Sequence, residues 1–372
     1  SLAFTHAPLL DAISAAAIRI LIRPAERARL PVNILGLVQA FATIDALEKH
    51  GLLIAASKAL QQRASLQDDV DSPLPRSSIA ALAEEQGSRS FLEPHVLQAR
   101  PGLCLLWKPP GWSVTVNCED GDRSCDDTMR AERKGNLFVP LDPTESGPLL
   151  QDWVCRHLRS PVALDTAAAH GLVHRLDRDT SGPIACALSY RGYYSARLEL
   201  AAGRIVKRYV CVCHGWLQPC REMMDMPLRA VREGAVLRSV AAQNGSRALT
   251  EVCVVGHLGA VVEACCSLVE LRLHTGRLHQ IRAHMALAGH ALLADAAYGS
   301  ASSWSSRVFL HACCLKLDTK HGVLVAEVPL PADLAGVLGA SATGVAACDG
   351  RSRAVLSDWY REVASSMLGV QK

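Results

Sequence analysis

Between two apolar runs, Gly171-Leu172-Val173 and Ile184-Ala185-Cys186-Ala187-Leu188, the chain places His174-Arg175-Leu176-Asp177-Arg178-Asp179-Thr180-Ser181-Gly182. Five of the six residues from 174 to 179 ionise, so the densest charge in this region lies between segments that read as buried strand. Unpaired charge is excluded from a core, so the segment must turn and bring its charges to solvent or to counter-charges. Asp, Thr, Ser and Gly supply that turn. Leu176 ties it to the core and holds Asp177 near apolar surroundings, where a carboxylate finds a cation or loses its charge. The plainer alternative is a tight turn in which Asp-x-Thr-Ser-Gly caps backbone N–H groups, and composition by itself favours it.

A matching cation stands in Leu271-Arg272-Leu273-His274-Thr275-Gly276-Arg277-Leu278-His279-Gln280-Ile281-Arg282-Ala283-His284-Met285. After the Thr275-Gly276 break the pattern predicts a helix from about Leu278 to Ala288, stopped by Gly289. Leu278, Ile281, Arg282 and Met285 then share one face, so Arg282 is a cation on an apolar stripe. It either pairs there or snorkels to water, and breaking a buried pair costs about 3–5 kcal/mol. No H-E-x-x-H is present, and His279 and His284 are spaced wrongly for one-face metal ligation.

Two further polar islands are Trp107-Lys108-Pro109-Pro110-Gly111-Trp112 and Val206-Lys207-Arg208-Tyr209-Val210. Each could be an ordinary hairpin edge. Together they offer an aromatic face for a base and cations for phosphates, the needs of an extruded nucleotide.

With 372 residues the chain is long for one core, and roughly 150 residues per domain suggests about two or three units. No apolar run approaches the roughly 18 residues that span a bilayer, so no membrane partner is expected. A net charge of +3 is only mildly basic, so a polyanion would have to meet a local patch. The 14 cysteines contain no C-x-x-C, and Tyr209-Val210-Cys211-Val212-Cys213 uses cysteine as a small apolar residue on a strand. Cys211-x-Cys213-His214 lacks a second ligand pair, so no metal is expected, and a reducing compartment is the simpler reading. The chain starts at Ser1 without methionine; removal of a targeting segment is the expectation, and none is legible in what remains.

Residues 1–63 read as helical. In Pro31–Ala42 the residues Ile34, Leu37, Val38 and Phe41 make one helix face, and a second helix is expected over Ala46–Arg63. Similar phrases beginning at His6 and His50 resemble a repeated helical pair of the kind found in organellar RNA-binding arrays; a plain helical cap on the next domain is the alternative. Residues 64–100, acidic and proline-bearing around Asp68–Pro75, read as a linker. Short β-like runs with a few helices after residue 101 argue an α+β domain over 101–372, with a mobile surface insertion at about 117–147.

HRLDRDTSG, Lys207-Arg208-Tyr209 and "LHTGRLHQIRAHMALAGH…LLADAAYG" resemble blocks of the RluA-like pseudouridine synthase family. WKPPGW, Leu150-Gln151-Asp152-Trp153, Ala248-x-Thr250 and Leu310-His311-Ala312 resemble further family blocks in the same order, over about residues 101–330. The resemblance implies an α+β fold, with a mixed, largely antiparallel sheet of the pseudouridine synthase type and flanking helices. It implies an isomerase that converts a uridine in structured RNA, ribosomal RNA first among the choices, to pseudouridine with no cofactor. Asp177 is then the catalytic carboxylate, Tyr209 stacks on the uracil and is a candidate base, and Arg282 keeps Asp177 ionised. Arg175 fills the gap left in the RNA; Lys108, Lys207 and Arg277 contact phosphates or support the loop. Pro183, Ala291 and Ala294 depart from the family pattern, which has a bulky aliphatic, Gly-His-Pro and Gly-Asp at these places.

The rival reading is a catalytically silent relative serving as a structural or assembly component of an organellar ribosome. In either case the N-terminal helices would supply RNA, ribosomal-protein or assembly-protein contacts, and a mitochondrial location is expected, with plastid or nuclear and cytosolic ones as alternatives. A two-carboxylate hydrolase using Asp177 and Asp179 is disfavoured, because residues two apart in a turn seldom address a bond from opposite faces.

Overall fold

The computed structural model describes residues 7–22, 30–43, 51–68, 91–114, 147–218, 222–233, 236–261, 264–299, 304–319, 322–340 and 345–347. The expected insertion at 117–147 lies outside them apart from Gly147, as does most of the expected linker.

The fold is α+β and antiparallel. A three-stranded sheet has the order β1 (His95–Arg100), β2 (Leu103–Lys108), β3 (Gly182–Ala187). The larger sheet is built from β4 (Val206–His214), β5 (Met223–Met224), β8 (Thr250–Val261), β9 (Ala264–Leu273), β10 (Leu310–Thr319), β11 (Gly322–Glu327) and β12 (Val345–Ala347). Its order is β11-β10-β4-β9-β8-β12, with β5 beside β8. Strands β6 (Leu228–Glu233) and β7 (Val236–Ala241) form a separate hairpin. The parallel contacts among the described residues are isolated bridges, Ser113 to Leu149 and Ser181 to His311.

Period-two alternation explains why β4 lies at the centre. Tyr209, Cys211 and Cys213 enter one apolar cluster, whereas Val210 and Val212 enter another on the opposite face. The cysteines there are packing residues, and burial raises both thiols of Cys211 and Cys213. The first cluster also holds Leu176, Ile281 and Met285, so the charged turn and the Arg282 helix are drawn to the same side of the sheet.

Helices α1 (Ala7–Ile22), α2 (Leu30–Thr43) and α3 (Leu52–Asp68) precede the sheets. After them come α4 (Leu150–His157), α5 (Pro161–Leu164), α6 (Tyr190–Ala201), α7 (Gln280–Leu287) and α8 (Ala332–Ala340). None is long and apolar enough to cross a membrane. Ile34, Val38 and Phe41 are buried as their spacing predicts, together with Leu52, Ala56 and Leu60 of α3, in the cluster that holds Leu103, Leu105 and Trp107 of β2. The helices therefore cover this sheet as a layer.

Helix α3 runs to Asp68, so 64–68, expected as linker, is helix, and β1 starts inside that expected linker as well. The extension has a physical reason. Both Asp68 carboxylate oxygens accept from the first turn of α6, from Tyr190 N–H at 2.9 Å and Arg191 N–H at 3.1 Å. Tyr194 and Gln67 add a hydrogen bond of 3.0 Å.

Candidate active site

The turn 174–182 is fixed from three directions. Lys108, at the end of β2, is fully buried, and its Nζ donates to the carbonyls of Pro109, Trp112 and Arg178, each at 2.8 Å. With three donors engaged and no exposure, the Lys108 ammonium serves the second of its two expected roles, support of the loop, and not a phosphate contact. From behind, Arg307 donates to the Asp179 carbonyl (2.7 Å) and Ser181 Oγ (3.0 Å) while Asp333 of α8 accepts from its Nε at 2.6 Å. Ser181 Oγ in turn donates to His311 Nδ1 at 3.0 Å, and His311 Nε2 donates to Val328 O. That assignment requires a neutral ring, and burial accordingly pushes His311 down to about 4.

The third tie is the meeting of the two sheets. Ala312 N–H donates to Ser181 O at 2.8 Å, and Gly182 adopts φ 137° with no room beside it. A Cβ there would collide with the Ala312 carbonyl, so the Gly of HRLDRDTSG is a packing requirement. His174, at the start of the turn, accepts from Ala185 N–H at 3.1 Å; burial, with the charge of Lys207, lowers it to about 3, so it too is neutral. Pro183, the second residue of β3 and on the edge strand of its sheet, pairs on one side with Trp107, where a missing N–H is tolerated.

Leu176 is buried as expected, and Asp177 emerges from it with 18% of its side chain exposed. Arg282, on the buried side of α7, brings Nη1 to 3.6 Å from Asp177 Oδ2. Its closer partner is Asp295: Nε donates to Oδ2 at 2.8 Å and Nη2 to Oδ1 at 2.7 Å. A planar guanidinium offers one edge for a paired bond to one carboxylate. Asp295, fully buried, takes that edge, and Nη1 remains for Asp177. The Tyr298 ring lies over the guanidinium face, 5.2 Å from its carbon.

Burial alone would push the Asp177 carboxyl up, but His279, Arg282, Arg175 and Lys108 together hold it below its ordinary value. His279 acts only when protonated, and burial lowers its own pKa, so near neutral pH the three fixed cations carry the effect. Asp179, by contrast, is 48% exposed and lies 3.7 Å from Arg178. The two carboxylates address different cations, which removes the ground for a two-carboxylate hydrolase.

Tyr209 is buried in the same cluster as Leu176, and Asp177 is one of the charges that act on it. Burial first, and then Asp177, drive its phenol upward, so at neutral pH the group is a protonated ring. Arg175 is half-buried, acts electrostatically on Asp177, and has a buried Nε without a hydrogen bond. Lys207 is also buried, and burial, helped by Arg277, lowers it to about 8. Its ammonium lies against Gly276, which favours the loop-supporting role of the two expected for it. Arg277 remains half-exposed, with Nε donating to Arg247 O at 3.0 Å.

Sequence reasoning missed Asp295, Tyr298 and Arg307 as parts of the site. A signal existed for the first: a carboxylate set in Leu292-Leu293-Ala294-Asp295-Ala296-Ala297 requires a cation if it is buried.

An RNA pseudouridylate synthase family model matches residues 108–287, which contain Lys108, Asp177, Tyr209 and Arg282. An uncharacterized RNA pseudouridine synthase of Bacillus subtilis, YlyB, is 32% identical over 215 residues, 57% of this chain and 69% of that protein. The chain belongs to the RNA pseudouridine synthase family. Another such B. subtilis synthase, YhcT, is 35% identical over 166 residues, 44% of this chain and 53% of its own length. The ribosomal large subunit pseudouridine synthase D of Nitrosomonas europaea is 33% identical over 179 residues, 45% and 50% of the two chains. The chain thus spans only about half the length of several synthases it matches.

In this family setting Ala294 has a clear cost. It sits at φ 61°, a left-handed conformation that favours glycine, immediately before Asp295.

Proposed function

We propose that this chain isomerises a uridine in structured RNA to pseudouridine, with Asp177 as the catalytic carboxylate. One observation carries the reading: a partly exposed carboxylate, Asp177, stands 3.6 Å from the Arg282 guanidinium and directly follows Leu176, which shares an apolar cluster with Tyr209. In the reaction the N1–C1′ bond breaks, the uracil turns, C5 joins C1′, and the hydrogen on C5 is released while N1 gains one. No oxidant or reductant is required. Asp177 must be ionised whether it adds to the sugar carbon or removes a sugar proton, and Arg282 secures that state. Tyr209, protonated, serves as a stacking face for the uracil and not as a base. Arg175 fills the space left by the flipped nucleotide, and Arg277 contacts phosphate.

Ribosomal RNA is the proposed substrate, supported by the N. europaea relative named for the large ribosomal subunit. The helices α1–α3 are proposed to present ribosomal or assembly proteins with a surface fixed to the catalytic domain. A mitochondrial location is proposed on the likeness of residues 1–63 to organellar arrays, and imaging of a tagged chain tests it.

Chemical mapping of pseudouridines in ribosomal RNA, with and without the chain, tests the function. One or more uridines converted only in its presence supports it. An unchanged map, with the chain still bound to the RNA, favours the silent assembly component.

A further inference from the structure

The hairpin β6–β7 carries the exposed Arg229 and Arg232, yet it lies outside both main sheets. One aromatic residue joins it to the site. Tyr298 Oη accepts from Ser239 N–H of β7 at 2.7 Å and lies 3.2 Å from the Ser239 carbonyl, to which it donates. The same ring covers the Arg282 guanidinium, stands edge-on to His279 at 5.9 Å, and packs against Leu228 at the base of the hairpin. Ser239 Oγ adds a second tie, donating to Leu278 O at 2.6 Å just before α7.

Tyr298 therefore has two functions on one side chain. Its hydroxyl fixes the hairpin backbone and lies 3.4 Å from His279 Nδ1 beside the site, and its ring fixes the face of the cation that sits against Asp177. We infer that Tyr298 is a positioning residue that makes the β6–β7 hairpin and the Asp177–Arg282 pair move as one unit, so that a correctly seated hairpin aligns the carboxylate for reaction. The inference rests on the proposed function, because it assigns the hairpin a part in turnover and not only in RNA affinity.

The test uses the full chain and two variants, Tyr298→Phe, which keeps the ring, and Tyr298→Leu, which loses both features. Turnover is read as tritium released from transcripts of large-subunit ribosomal RNA labelled at uridine C5, and hairpin order as amide hydrogen exchange over 228–241. In Tyr298→Phe, which loses both hydrogen bonds to Ser239, kcat should fall by about threefold to tenfold with KM unchanged. Exchange should quicken in the hairpin and stay unchanged in α7 and β4. Tyr298→Leu should show the same hairpin exchange with a lower kcat; if it fails to fold, Tyr298→Phe carries the test.

An unchanged kcat or an unchanged hairpin in Tyr298→Phe overturns the inference. So does a raised KM at constant kcat, which would make the hairpin a binding surface only, or a uniform loss of protection, which would make Tyr298 a general prop. A wild-type chain that releases no tritium defeats the functional reading instead, and quickened exchange confined to the hairpin would then support only the mechanical tie of Tyr298 to the hairpin.

Discussion

Asp295 grips Arg282 by two hydrogen bonds of 2.7 and 2.8 Å, while Asp177 faces the remaining nitrogen at 3.6 Å. The cation is shared unequally. The buried carboxylate sets where the guanidinium stands, and the exposed one uses the charge. Such an arrangement keeps Asp177 ionised without tying its oxygens into a tight paired bond, which leaves a lone pair available for chemistry.

Removing the grip should be costly in two ways. Asp295→Asn keeps the shape but loses the charge and presents an amide donor to Arg282, so a buried pair is broken, at about 3–5 kcal/mol of stability. Freed from Asp295, Arg282 should swing onto Asp177, and kcat should fall by at least about tenfold. Urea unfolding and tritium release measure the two effects; a variant as stable and active as wild type would contradict the arrangement.

Ala294 offers the opposite test. Its left-handed backbone costs an alanine about 1 kcal/mol more than a glycine, so Ala294→Gly should raise stability by about that amount, net of the extra entropy of the unfolded chain. A higher urea midpoint with an unchanged slope is the expected result, and a lower midpoint would refute the strain.

The neutral histidines give a pH signature. His174 and His311 titrate at about 3 and about 4 in the folded chain, against an ordinary value of 6.5. Below about pH 6.5 the unfolded chain binds protons that the folded chain refuses, so stability falls as pH drops. The slope should approach about 1.4 kcal/mol per pH unit for each ring, acting until the folded values are reached. Asp177, held below the ordinary carboxylate value, contributes stability above that value and loses it only under more acidic conditions. Urea unfolding between about pH 7 and pH 5 should show the histidine slope, which His311→Gln should reduce; a flat profile would contradict the buried neutral rings.

Much of the site was legible in the chain because its parts announce themselves locally. A charge-dense turn anchored by Leu176 and an arginine on an apolar stripe each violate a simple burial rule, and the two violations pointed to each other. The α7 helix and its stop at Gly289, at φ 81°, follow from periodicity and glycine chemistry. Asp295 escaped because Ala294-Asp295 reads equally well as a surface turn, and the segment is drawn inward by a distant strand, Leu293 N–H donating to Val212 O of β4. For Lys108 and Lys207 the sequence leaves phosphate contact and loop support open, because a lysine in sequence carries only its charge. Whether that charge meets a phosphate or three carbonyls is decided by the fold around it. Helix α3 outran its expected end for a similar reason, since Asp68 finds its purpose only at the first turn of α6.

The most direct measurement of the central claim is single-turnover pseudouridine formation by Asp177→Asn, paired with its affinity for the same ribosomal RNA transcript. The variant is isosteric and leaves Arg282 in the grip of Asp295, so the cleft should persist and RNA affinity should stay within about threefold of wild type. Turnover should fall below about one thousandth of the wild-type rate. Wild-type turnover in Asp177→Asn would contradict the assignment outright.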